Sequence, residues 1–202
     1  MSLDINKQED IVYKKVSEGT HVAIPVQIID FGHQFKTEWP SMEKVVNEKT
    51  GDFVLNQQVF IQFEFPTQTD TFNGEEKPLW LGKTFTLSVK DDGTSYVHKK
   101  SAMMQLILSA NPDADSLSDL IGKPVNVSVG LTESGNPKIT AVVEAPEDLV
   151  INKQVVEKDD LKLFNEPVIY SMSDGKNEVY DGLPDWMKEK IDNQADDLKP
   201  KF

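Results

Sequence analysis

A mainly β fold is what this 202-residue sequence predicts, on three observations. Apolar and polar residues alternate over five separate runs, the period-2 signature of strands that bury one face. Turn-forming residues, among them Asp91-Asp92-Gly93 and Ser134-Gly135-Asn136-Pro137, lie between runs. One stretch, up to residue 110, changes instead to three- and four-residue spacing and reads as a helix.

The first strand covers about 21–31, where Val22, Ile24, Val26 and Ile28 alternate with Ala23, Pro25 and Gln27. Pro25 has no N–H for a ladder, which points to an edge or a bulge. Gly32 then permits a bend. A long polar connection at 33–56 carries Phe35, Lys36, Trp39, Pro40, Lys44 and Lys49, and loops of this length in compact domains are usually functional or mobile. The second strand, 57–65, puts Val59, Ile61, Phe63 and Phe65 on one face and Phe60, Gln62 and Glu64 on the other. A second polar loop is expected at 67–77. The third strand, 79–90, sets Leu81, Phe85, Leu87 and Val89 against Trp80, Thr84, Thr86, Ser88 and Lys90.

The helix follows from Val97, Met103, Met104, Leu106, Ile107 and Ala110, with Ser95 as the expected N-cap and Asn111-Pro112 as the stop. A short turn at 116–121 ends at Gly122. Strand four, 124–131, turns Val125, Val127 and Val129 inward, and strand five runs over 138–144. Phe63, Phe65 and Phe85 are expected in the core.

Composition narrows the function. The sequence has no cysteine, which removes disulfides, thiol catalysis and cysteine-ligated metal. His21, His33 and His98 are scattered, and no metal site, cofactor or catalytic constellation is expected, so the chain does not read as an enzyme. The N-terminus lacks an apolar signal segment, and no run reaches the roughly 18–20 apolar residues of a membrane span. A cytoplasmic protein without a membrane partner is the expectation. All 21 basic residues are lysine. Without arginine there is no bidentate fork for guanine, so sequence-specific duplex recognition is not expected.

Net charge is −13, and the last 57 residues hold 8 lysines against 14 acids. Past Pro146 the alternation fades, apart from a patch at 168–170, and the composition turns to Asp, Glu, Lys and Asn. The organisation expected is an N-terminal arm at 1–17, a barrel domain at 18–146, and an acidic, partly disordered tail at 147–202. Within the tail Leu183, Trp186, Met187 and Ile191 share one helical face near 183–192, with Pro184 early in the helix. That face and the terminal Phe202 are the expected docking residues for replication or recombination proteins.

Three strands, a helix and two strands is the element order of an OB-like barrel, whose second and third strands form a ligand face. On the outward parity stand Phe60 and Trp80; Phe35 and Trp39 lie in the first long loop; Lys36, Lys83, Lys90, Lys99 and Lys100 are interleaved. Rings stack on unpaired bases at about 1–3 kcal/mol each and ammonium groups meet phosphates, so this set points to single-stranded DNA. Such binding weakens with salt and reads little sequence.

The runs GTHVAIPVQIIDFGHQ, EKPLWLGKTFTLSV, IGKPVNVSV and GLPDWMKEKI together resemble a family of phage and prophage proteins encoded among replication and recombination functions and regarded as single-strand DNA-binding OB proteins. The likeness covers about 18–146 and 181–191. It implies the barrel, the single-stranded DNA ligand and the host-cell cytoplasm, and names no contact residue. The chain also resembles bacterial and T7-like single-strand binding proteins in its terminal aromatic, although Lys199 and Lys201 dilute the acids before Phe202.

A rival class is an acidic DNA mimic that occupies a host nuclease or defence enzyme, which the charge suits and outward aromatics do not. A metal-dependent nuclease is a third. Oligomeric state is open, a dimer included.

Overall fold

The computed structural model describes residues 14–151 and 154–195. In chain order the elements are β1 (Gly19–Phe35), β2 (Leu55–Phe72), β3 (Glu75–Val89), β4 (Ser95–Tyr96), α1 (Ala102–Ala110), β5 (Val125–Leu131), β6 (Pro137–Glu144), β7 (Asp148–Ile151), β8 (Gln154–Glu157), β9 (Val168–Tyr170), α2 (Glu178–Gly182) and α3 (Asp185–Asp192). The molecule is mainly β, built on one curled antiparallel sheet in the form of a half-barrel. Its strands run in the order β4-β3-β2-β1-β5-β6, and β9 adds to β1 in parallel; β7 and β8 make a separate hairpin. The five expected strands are all present, but among the described residues the sheet has seven, and three helices stand where the sequence suggested two.

β1 lies inside the sheet and changes partner along its length. Residues 19–23 pair with β5, and from Ile24 onward the strand pairs with β2. Pro25 sits at the switch, beside a register shift between Pro25 and Gln27. A proline with no N–H fits beside such an irregularity. The bulge also changes parity. Ala23 and Ile28 face the inside of the half-barrel, whereas Ile29 and Phe31 belong to a second core on the outer side. The simple alternation expected for this strand therefore holds only in part.

On β2 the expected face is buried throughout, with Val59, Ile61, Phe63 and Phe65 in the inner core of the curled sheet beside Phe85 and Leu87 of β3. Val125, Val127 and Val129 of β5 close that core from the other side, and Met103, Leu106 and Ala110 of α1 plug its end. The α1 N-cap is Ser101, whose Oγ accepts the Met104 N–H at 3.1 Å; Ser95 is instead in β4, paired with Val89.

The polar loop expected at 67–77 is a hairpin. β2 and β3 run on past a bulge between Phe65 and Thr69 to the turn Asn73-Gly74, where both residues have positive φ. Asn-Gly is the sequence that such a turn prefers. The expected loop at 33–56 likewise starts as strand to Phe35 and continues as an arm of two successive short hairpins, bridged at Thr37–Lys44 and Val46–Phe53.

Of the expected N-terminal arm, residues 14–17 are described. Val16 is buried in the inner core of the curled sheet, and Lys14 Nζ donates to the Thr69 carbonyl at 2.6 Å. Most of the stretch expected as a tail is folded against the sheet. Tyr170, Tyr180, Leu183, Met187 and Ile191 pack with Ile29 and Phe31 into the second core, over the outer face of β1. The patch at 168–170 is the strand β9.

Candidate nucleic-acid interface

The outer face of β2 and β3 is defined by five cross-strand pairs: Asn56/Ser88, Gln58/Thr86, Phe60/Thr84, Gln62/Gly82 and Glu64/Trp80. The ladder runs through them without a break, so alternation puts all ten residues on one side. Apart from Glu64 they are neutral, and hydroxyls and amides predominate. Glu64 is 1 % exposed, its oxygens accepting from the Phe164 N–H at 2.6 Å, the Asn165 N–H at 3.3 Å and Asn165 Nδ2 at 2.9 Å. Its charge is engaged by the segment that covers it.

Trp80 is 47 % exposed on this face. Phe60 is partly covered. Its ring reaches across β3 at Gly82, where an added Cβ would lie 2.1 Å from Phe60 Cζ. The same ring is 6.1 Å from Phe31 and 5.5 Å, edge to face, from Trp186 of α3, which is itself 50 % exposed. Phe60 thus belongs to an aromatic run with Phe31 and Trp186 and is not a free platform, because the C-terminal helices lie over its β1 side. Gly82 makes the run possible: any side chain there would displace the ring.

At the other end of β3 the exposed Lys90 holds its ammonium 5.8 Å from the ring of Tyr96, which pairs with Ser88 and is also exposed. The two extend the outward row toward β4.

The lysines separate into groups. Lys83 has inward parity and donates to the Ile139 carbonyl of β6 at 3.2 Å, across the seam where β3 approaches β6. Burial pushes its pKa below 10.5. The expected phosphate contact at Lys83 is accordingly a seam lysine. Lys99 and Lys100 are exposed in the turn that leads to Ser101. At the base of the arm Lys44 lies 3.6 Å over the Phe35 ring, which meets Phe53 edge to face at 5.4 Å. Phe35 is therefore in a cluster of its own. Lys36 is exposed beside it, and Trp39 near the arm's tip is 87 % exposed.

Compared with protein-family models and with curated proteins, the sequence matches none. Geometry and chemistry carry the reading of the site.

The expected docking face on the last helix is divided. Leu183, Met187 and Ile191 are buried in the second core, which removes them from any partner, while Trp186 stays half open. Phe202 lies outside the described residues. Among the described residues no cluster of three or more His, Asp or Glu is placed to hold a metal ion, and no helix is long and apolar enough to cross a membrane.

Sequence reasoning passed over Gly82, Tyr96, Phe53 and the placing of Trp186 beside Phe60. A lone glycine inside a strand is a known mark of close approach, and Gly82 carried that signal. Tyr96 and Phe53 lay in stretches without alternation, and Trp186 is brought to Phe60 only by the chain's return to β1.

Proposed function

We propose that this protein binds single-stranded DNA, with little sequence preference, on the outer face of the second and third strands of an OB-type barrel. The order β3-β2-β1-β5-β6, the approach of β3 to β6 at Lys83 and Ile139, and the helix between β3 and β5 support the OB reading. The observation that carries the function is the half-exposed Trp80 on a neutral strand face, with Lys90 and Tyr96 on the same outward row. Unpaired bases offer flat apolar faces to such rings, and a hydroxyl- and amide-rich floor satisfies base edges without repelling phosphate. Duplex DNA keeps its base faces hidden. The exposed arm, with Lys36 and Trp39, extends the set of groups available to the strand. The resemblance of four segments to phage single-strand binding proteins supports a role in phage DNA replication or recombination.

The test is fluorescence anisotropy of labelled oligo(dT) and of a labelled duplex, titrated with the full chain at low salt. Tighter binding of oligo(dT) is expected, and Trp80→Ala weakens it by about 5- to 160-fold, the equivalent of ~1–3 kcal/mol for one stacked base. Equal affinity for duplex, or no binding of oligo(dT), overturns the proposal.

A further inference from the structure

α3 is short and amphipathic, and its two sides behave differently. Met187 and Ile191 are buried against the β1 side of the sheet, yet Trp186, next to Met187, keeps half of its surface in solvent. Burying a tryptophan is among the larger apolar gains open to a surface helix. Here the ring stays at the boundary, 5.5 Å from Phe60 and 6.0 Å from Phe31, edge to face with both. Phe60 in turn lies over Gly82, two residues along β3 from Trp80 on the same face. The aromatic run of Phe31, Phe60 and Trp186 therefore reaches β3 at Gly82, and Trp80 stands two residues beyond it on the same face.

The support under Trp186 is not a loose tail. β9 joins β1 by a parallel ladder over Gln27–Val168, Ile28–Ile169 and Ile29–Tyr170. Gln34 of β1 donates through Nε2 to the Lys190 carbonyl of α3 at 3.0 Å. Glu64 fixes the preceding segment at Phe164 and Asn165. Beside the run, Lys190 holds its ammonium 5.1 Å from the Phe31 ring, a cation next to the face.

We infer that Trp186 is a second open base-stacking residue, held by the C-terminal helices at the β1 side of the strand face, and that its ligand is an unpaired nucleobase of the strand that reaches Trp80. This rests on the single-strand reading above. A protein partner fits the observations less well, because the apolar neighbours Leu183, Met187 and Ile191 are already buried, leaving one ring in line with the DNA face rather than a docking patch.

The experiment uses the full chain, whose three tryptophans are Trp39, Trp80 and Trp186. In the Trp39→Phe/Trp80→Phe variant only Trp186 emits, and oligo(dT) added until the anisotropy of its label saturates is expected to quench that emission. In the otherwise native chain, Trp186→Leu is expected to weaken oligo(dT) binding by about tenfold, and Trp186→Phe by less than about threefold, since a flat ring and not bulk is what a base needs. Unchanged emission at saturation, or native affinity in Trp186→Leu, overturns the inference while the wild-type chain still binds oligo(dT) and the proposed function stands. Failure of the wild-type chain to bind oligo(dT) removes both.

Discussion

Glu64 Oε1 on β2 accepts the backbone N–H of Phe164 at 2.6 Å, joining the middle of the sheet to a segment one hundred residues further along. The second carboxylate oxygen takes the Asn165 side-chain amide at 2.9 Å. A buried carboxylate is costly unless its lone pairs are met, and here backbone and side-chain donors meet them. The consequence is architectural. The chain arriving at this point is held on the outer face, and β9, α2 and α3 follow from it, covering the β1 side and leaving β3 open.

Glu64→Ala is expected to destabilise the fold by about 2–3 kcal/mol, because it leaves the Phe164 and Asn165 donors without their charged acceptor. Glu64→Gln keeps one acceptor oxygen and is expected to cost roughly half as much. Urea unfolding gives the energies, and hydrogen exchange at the Phe164 and Asn165 amides locates the effect. Equal protection of those amides in wild type and Glu64→Ala would show that the clamp contributes nothing.

Gly82→Ala sets a methyl group against the Phe60 ring, where the clash distance is 2.1 Å. Overpacking of this kind costs about 1–3 kcal/mol. The ring must move, so the loss is expected to be coupled to Phe60. Adding Phe60→Leu is expected to cost less in the Gly82→Ala background than in the native one, by at least about 0.5 kcal/mol in a double-mutant cycle. Strict additivity in thermal melts would mean that the ring does not lie over β3.

Strand parity was readable wherever a ladder runs unbroken: Val59 to Phe65 on β2 and Phe85 with Leu87 on β3 are buried as their alternation predicts. It failed at β1, where the bulge after Pro25 reverses parity: Ala23 and Ile28 share the inner face although counting sets them on opposite ones, and Ile24 lies opposite the outward Glu64, since period-2 counting has no term for an extra residue. Asn73-Gly74 was a hairpin signal hidden by the polarity around it. The C-terminal fold was not readable from composition. Its core is shared, with Ile29 and Phe31 supplied by β1, so residues 168–191 look too polar to fold when counted by themselves. For the site, Trp80 followed from parity alone; Phe60 needed knowledge of what returns to cover it, and Lys83 needed the seam with β6.

Lys83 and Lys90 are expected to part company in DNA binding. Lys90→Ala removes an exposed cation from the outward row and is expected to reduce the slope of log K against log salt by about 0.7, the value for one phosphate contact on single strands. Lys83→Met is expected to leave that slope unchanged, since its ammonium is bonded to Ile139. Stability gives a second readout. Burial lowers the folded-state pKa of Lys83 below 10.5, so in the window beneath 10.5 the unfolded chain binds more protons and stability rises with pH. Lys83→Met is expected to flatten that rise. An unchanged alkaline profile together with a reduced salt slope would place Lys83 on the DNA instead.

Asp192 closes the C-terminal helices against each other. Its carboxylate takes the Lys176 ammonium at 2.8 Å and the Tyr180 hydroxyl at 2.8 Å. Those two bonds, Lys176 first, hold its pKa below the ordinary 3.8. A carboxylate with a depressed folded value adds stability above 3.8 that is lost as pH falls through the folded value. The same pair raises Lys176 above 10.5, so its contribution is present below 10.5 and disappears as pH rises through the higher folded value. Asp192→Asn removes both edges together. The thermal midpoint of the wild-type chain is expected to fall more steeply than that of Asp192→Asn between about pH 4 and pH 2, in the region below the ordinary carboxylate value. Both groups face solvent, so the difference should shrink in high salt. Parallel curves at low salt would mean that the Tyr180 and Lys176 contacts do not hold α2 to α3, leaving Leu183, Met187 and Ile191 to do so by packing alone.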